Sequence, residues 1–208
     1  MQFDFHSTRS ILVQRGGSTQ LAKIARDQGA SKVLIITDPG VLAAGLLEKS
    51  LPQFKELNIP VHIFSEVQAD PPVSIIETAV KVAQEYKADC IVGFGGGSSM
   101  DVAKLVALLS LGKEKLADIY GIGNAKGPRL PLILVPTTAG TGSEVTKSSV
   151  VTVSESEKKG VLSPHLLPDV ALLDEAIDAF DAHDGGTLFN TIFRVIVSGH
   201  VQLRFTSD

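Results

Sequence analysis

The sequence predicts an α/β protein built on a doubly wound, mostly parallel sheet, and three observations carry that prediction. Apolar runs without alternation, at residues 32–37 (KVLIIT), 90–92 (CIV) and 131–135 (PLILV), are what strands covered on both faces require. Stretches of helical period lie between these runs, and strands alternating with amphipathic helices imply right-handed crossovers within one sheet. Three loop signals, at Asp38, at Asp70 and at Gly95, Gly96, Gly97 and Ser98, fall after strands, on the carboxyl edge where such sheets bind ligands.

At 208 residues and 44% hydrophobic content the chain can bury a full core. A net charge of −4, with no basic block interleaved with aromatics, argues against a nucleic-acid partner. The single cysteine, Cys90, cannot form an intrachain disulfide and sits in an apolar run, so it reads as a core thiol in a reducing compartment. The N-terminus MQFDFHSTRSILVQ lacks the pattern of a secretory leader, and no apolar run approaches the roughly 20 residues that cross a bilayer. The expectation is a soluble, cytoplasmic protein without a membrane partner.

Taken in order, residues 2–5 and 11–14 read as short strands, followed by Gly16, Gly17 and a helix over 19–28. The strand at 32–37 closes on Asp38-Pro39-Gly40. A helix over 41–57, a strand at Val61–Phe64 and a helix at Val73–Tyr86 behind Asp70-Pro71-Pro72 come next. Residues 121–127 (GIGNAKG) read as a loop, and 131–135 as a further buried strand.

The chain is organised around residues 90–109, CIVGFGGGSSMDVAKLVALL. A strand, a glycine turn and a helix with Val102, Leu105, Val106 and Leu109 on one face follow directly on one another. Ser98 is placed as the N-cap, with Asp101 three residues on. Such a helix start offers free N–H groups and a positive dipole end to an anion, most often a phosphate; a plain strand-to-helix turn is the alternative. The spelling is neither the dinucleotide fingerprint, which needs glycine at Ser98, nor a Walker A loop, because Lys104 lies deep in the helix.

Asp38, at the end of an early strand, can accept both ribose hydroxyls of an adenosine and would repel a 2′-phosphate, which favours NAD over NADP. The alternative is an Asp-Pro-Gly turn former. For Asp70, helix capping before Pro71 is an equal explanation. Beyond the strand at 131–135, Thr137, Thr138, Thr141 and Ser143 put four hydroxyls, with two glycines, into seven residues, either a polar ligand site or a hydroxyl-rich turn.

GGGSSMDVAK (95–104) followed by LPLILVPTTAGTGSEVT (130–146) resembles the paired signature of the metal-dependent, iron-containing alcohol dehydrogenase family, and the similarity runs from about residue 3 through LLPDVALLD (166–174). It implies a Rossmann-like, dehydroquinate synthase-like NAD-binding domain over 1–174. By that resemblance Asp38 would hold the adenosine ribose, and Asp70, where the family commonly has asparagine, is counted among the cofactor-binding residues. Gly97 and Ser98 would hold the pyrophosphate, with Gly96 and Asp101 also counted among the cofactor-binding residues. Thr137, Thr138 and Thr141 would hold the nicotinamide side, Ser143 and Val145 would border the ring, and Lys158 would sit near the ribose; Lys158 also belongs to a charged run, usually a solvated face.

The chemistry the family implies is hydride transfer between a small alcohol or aldehyde and nicotinamide. A divalent metal, Fe2+ or Zn2+, grips the alcohol oxygen and lowers its pKa, and the family's habit of dimerising implies a homo-oligomer. The metal ligands come from a following helical domain and begin with an Asp-x-x-x-His pair. The tail after Asp174 lacks that pair and the family's helix entry. It is therefore read as an atypical ending, 175–208, in place of the helical domain. Asp181, His183 and Asp184 there read as a solvated loop, so no metal ligand is assigned. Two alternatives are a truncated, catalytically silent nucleotide-binding module and a phosphosugar binder that uses the glycine loop alone.

Overall fold

The computed structural model describes residues 7–138, 140–154 and 156–177. The strand expected at 2–5 and most of the tail, with Asp181, His183 and Asp184, lie outside them. The main sheet has six strands: β1 (Ser10–Val13), β2 (Val33–Ile36), β3 (Val61–Phe64), β4 (Cys90–Gly95), β6 (Leu132–Pro136) and β9 (Val170–Leu173). Their order is β1-β9-β6-β4-β2-β3 and every pairing is parallel. The parallel fold expected from the unalternating apolar runs is therefore the fold found.

The core shows why those runs do not alternate. Along β2, Leu34 and Ile36 enter one apolar cluster and Val33 and Ile35 the other. In β4, Ile91 goes to the first, and Cys90, Val92 and Phe94 to the second. Successive side chains point to opposite faces, so a strand covered on both faces is apolar at every position. Helices α4 (Val73–Tyr86) and α5 (Gly97–Leu109) cover one face, and α1 (Leu21–Asp27) and α3 (Leu51–Glu56) the other. Cys90 is fully buried and burial pushes its thiol up to about 12, so it is core and not a nucleophile.

Three expectations are corrected. The helix expected over 41–57 is two short ones, α2 (Pro39–Ala43) and α3, separated by turns around Gly45, whose φ is 67°. Pro52 gives the physical reason: it fits the first turn of α3 but would lose a hydrogen bond and clash in the interior of a continuous helix. Second, α5 begins at Gly97 with Gly96 as its cap, and no side chain caps it, so Ser98 is already in the first turn. Third, residues 121–127 are not all loop, because β5 (Gly121–Ile122) pairs with β8 (Glu157–Leu162).

A small sheet, β5-β8-β7, with β7 at Ser148–Ser154, packs its Val151 and Val161 into the cluster that holds α5. Enclosed between two sheets, α5 buries residues on every side, Lys104 included. No helix among the described residues is long and apolar enough to cross a membrane.

Candidate functional site

Strands β2, β4 and β6 end side by side, Ile36 beside Gly93 and Gly95 beside Pro136. The loops that leave them surround a cleft of about 800 Å3, within the range of roughly 300–1,000 Å3 common for cofactor sites. Six of the residues singled out in the sequence line it together: Asp38, Gly96, Gly97, Ser98, Thr137 and Thr138. Among the described residues of that lining, Asp38 alone is charged.

Each wall follows from local chemistry. Gly95 has φ 152°, and a Cβ there would stand 2.7 Å from Ser99 Oγ and 3.0 Å from Asp38 Oδ2; a side chain would block both the turn and the approach of α5. Behind it the first-turn N–H groups of α5, a 13-residue helix, have no intrahelical acceptor and carry the positive end of the dipole. A Cβ at Gly96 would come within 3.4 Å of Thr138 Oγ1, and one at Gly97 within 3.1 Å of Thr141 Cγ2, so the glycines keep the chain close to the hydroxyl loop. Thr137 N–H donates to the Gly95 carbonyl at 3.0 Å and joins the two loops.

Asp38 fills the turn-forming role weighed for it and also lines the cleft. Its Oδ1 accepts the Val41 N–H at 3.0 Å and caps α2, while Oδ2 accepts the Ser99 hydroxyl at 3.0 Å. A carboxylate has about four lone-pair sites, so capacity to accept remains on the cleft side. Thr138 Oγ1 is buried without a hydrogen-bond partner among the described residues. Such an atom is costly to leave unsatisfied, and beside the helix start it fits a polar ligand. A dinucleotide suits this wall: the helix start and glycine backbone for the pyrophosphate, Asp38 for ribose hydroxyls.

The remaining candidates are not among the residues that line the cleft. Thr141 packs at Gly97. Asp70 has φ 53° and forms an exposed ion pair with Lys158 at 2.7 Å, across the join where Thr152 N–H donates to the Pro71 carbonyl. Exposed pairs contribute about 0–1 kcal/mol. Asp101 does not serve as a cap: Oδ1 accepts from Ser143 Oγ at 2.5 Å and from Lys104 Nζ at 3.3 Å, and Oδ2 accepts the Val150 N–H at 3.0 Å. Ser143 and Val145 lie in a single 3-10 turn, Ser143–Val145, entered through Gly142 at φ 64°.

Ser99 and Lys104 were not among the residues expected at the site. Ser99 holds Asp38 across 61 positions of sequence, which no local pattern signals. For Lys104 the one available signal was a cation within a helix apolar on nearly every side. Among the described residues no group of three or more His, Cys, Asp or Glu could hold a metal ion, so the described residues do not fit the metal that the resemblance implies.

The sequence pattern of the family described as iron-containing alcohol dehydrogenase matches residues 8–175. Long-chain-alcohol dehydrogenase 1 of Geobacillus thermodenitrificans is 38% identical over 162 residues, 76% of this chain and 41% of the relative. Among solved structures, NADH-dependent butanol dehydrogenase A of Thermotoga maritima matches with a TM-score of 0.80 at 30% identity, over 91% of this chain and 48% of its own. The sulfoacetaldehyde reductase of Bifidobacterium kashiwanohense in complex with NAD+ matches with a TM-score of 0.77 at 28% identity, over 87% and 48%. The chain spans less than half the length of each of these relatives. Sequence pattern and fold agree: the chain belongs to the iron-containing alcohol dehydrogenase family.

Proposed function

We propose that residues 1–174 form an NAD(H)-binding domain, and that the cleft holds the cofactor for hydride transfer between a small alcohol or aldehyde and the nicotinamide. The observation that carries the reading is the convergence of Asp38, the start of α5 and the hydroxyl loop on one cleft. The family supports it, as do the NADH dependence of the butanol dehydrogenase and the NAD+ complex of the sulfoacetaldehyde reductase.

The bound cofactor supplies a nicotinamide ring that takes or gives the hydride. The chain's own residues bind and orient. Asp38 accepts ribose hydroxyls, and its charge disfavours a 2′-phosphate. The first-turn N–H groups of α5 meet the pyrophosphate, with Gly96 and Gly97 allowing the close approach. Thr137, Thr138 and Thr141 set the direction of the nicotinamide half, with Ser143 and Val145 further along the same loop. Lys158, held in an ion pair by Asp70, serves the ribose. A grip on the alcohol oxygen has no ligand set among the described residues, and no step here runs through a metal.

Titration of NADH with the purified chain tests the reading, followed by the cofactor's own fluorescence because the chain has no tryptophan. Saturable binding competed by NAD is expected; no binding overturns the assignment of the cleft. Binding without turnover of small alcohols on addition of Fe2+ or Zn2+ would limit the chain to a nucleotide-binding module.

A further inference from the structure

One turn beyond the cleft, α5 carries a buried cation that the cofactor site does not use directly. The Lys104 side chain is 0% exposed. Its ammonium stands 2.9 Å from Ser143 Oγ, 2.8 Å from the Ser148 carbonyl, and 3.3 Å from both Asp101 Oδ1 and Thr146 Oγ1. Four acceptors therefore surround three protons. Asp101 completes the set: besides Ser143 and the Val150 N–H, its carbonyl accepts the Ser149 hydroxyl at 3.1 Å. Two residues of one helix turn thus grip five positions between 143 and 150.

The gripped segment continues from the loop whose Thr137 and Thr138 line the cleft. Its near end is held at β4 by the Thr137 N–H, and Lys104 and Asp101 hold its far end. Burial lowers the pKa of Lys104, and the charge and hydrogen bond of Asp101 and the charge of Glu144 offset this only in part. A buried ion pair is poor evidence for stability, because apolar residues of similar volume often do as well. What it supplies is a fixed position for the segment it touches. Resting on the NAD(H) reading above, we propose that Lys104 is a positioning residue, which with Asp101 fixes the hydroxyl loop so that it receives the nicotinamide half of the cofactor.

The test compares NADH with ADP, which carries the adenosine and pyrophosphate but no nicotinamide, by calorimetric titration of the full chain. In Lys104→Met the NADH affinity should fall about tenfold while that for ADP changes less than about twofold. A general loosening of the fold would move both ligands together. Where Lys104→Met leaves Asp101 charged and the protein does not fold, Lys104→Met with Asp101→Asn removes both charges, and Thr146→Val removes a single acceptor. For Thr146→Val a loss of about threefold for NADH and none for ADP is expected. Equal losses for the two ligands, or an unchanged NADH affinity in a folded variant, overturn the positioning role alone. A wild-type chain that binds neither ligand overturns the nucleotide reading itself, and the positioning role with it.

Discussion

Asp89 and Asp169 stand at the amino end of the main sheet and Asp38 at its carboxyl end, and the surroundings of these carboxylates differ. Asp89, just before β4, accepts the N–H groups of Ser31 at 3.0 Å and Lys32 at 2.8 Å ahead of β2. Asp169, just before β9, accepts the Leu132 N–H at 2.9 Å and the Arg129 guanidinium at 2.6 Å, and Arg129 also donates to the carbonyls of Leu130 and Leu167. At the amino end, then, polar side chains are used to join neighbouring strands. At the carboxyl end Asp38 keeps acceptor capacity, Thr138 Oγ1 has no partner among the described residues, and the first turn of α5 has no side-chain cap there. Hydrogen bonds completed within the chain stabilise the layer, whereas those left open are available to a ligand.

That contrast is broken most directly by Gly97→Val. A β-branched side chain at 3.1 Å from Thr141 fills the approach to the helix start, so NADH binding should fall by more than about a hundredfold with the circular dichroism spectrum retained. An unaltered affinity would remove the glycine turn from the site. The amino end should respond the other way. Asp169→Asn leaves the Arg129 guanidinium, 14% exposed, without its charge partner, and should cost about 3 kcal/mol of unfolding free energy in urea while NADH affinity stays the same. A loss of affinity there would mean that the two ends are coupled.

Asp38→Gly is a smaller change. The preference for NAD over NADP should drop about tenfold, and the lost cap on α2 should cost only a few tenths of a kcal/mol, since glycine is itself tolerated at that position. A constant ratio would take Asp38 out of the ribose site. The smallest effect is with pH. Burial pushes the carboxyls of Asp169 and Asp174 up, but hydrogen bonds, from Arg129 and Leu132 to one and from Ser18, Ala176 and Gly16 to the other, outweigh it and hold both below the ordinary 3.8. Their stabilisation is complete above the unfolded value, near pH 4, and is lost as pH falls through the folded values. The urea midpoint should therefore decline below about pH 4, less steeply in Asp174→Asn. An identical decline in that variant would show that Asp174 takes no part.

Part of the molecule was legible because its signals are local. Doubly covered strands have to be apolar at consecutive positions, so 32–37, 90–92 and 131–135 announced a parallel sheet; the period of Val73–Tyr86 announced a helix with the bounds found. The glycine turn, Asp38 and the two threonines were visible as loop chemistry following strands, and parallel strands bring such loops to one edge. Pro52 was a breaker inside the expected helix over 41–57, a local signal that the apolar period obscured. The alternating β7 and the apolar β9 also left legible marks in SSVVTVS and VALL, although no strand was expected there.

What the sequence determined by itself, then, was the layer order, the edge of the sheet that carries the candidate cleft and the family. Tertiary structure alone decided how individual side chains are used. Ser98 reads as a cap, yet Gly96 takes that place because the close approach of Asp38, Gly95 and Ser99 sets where the helix can begin. Lys104 reads only as a residue deep in the helix and Asp101 as part of its N-terminal cap, yet their partners lie 39 to 49 positions away, on a segment carried there by the small sheet. Periodicity and turn chemistry act over a few residues, whereas the partner of a buried charge is chosen only when distant strands close over it.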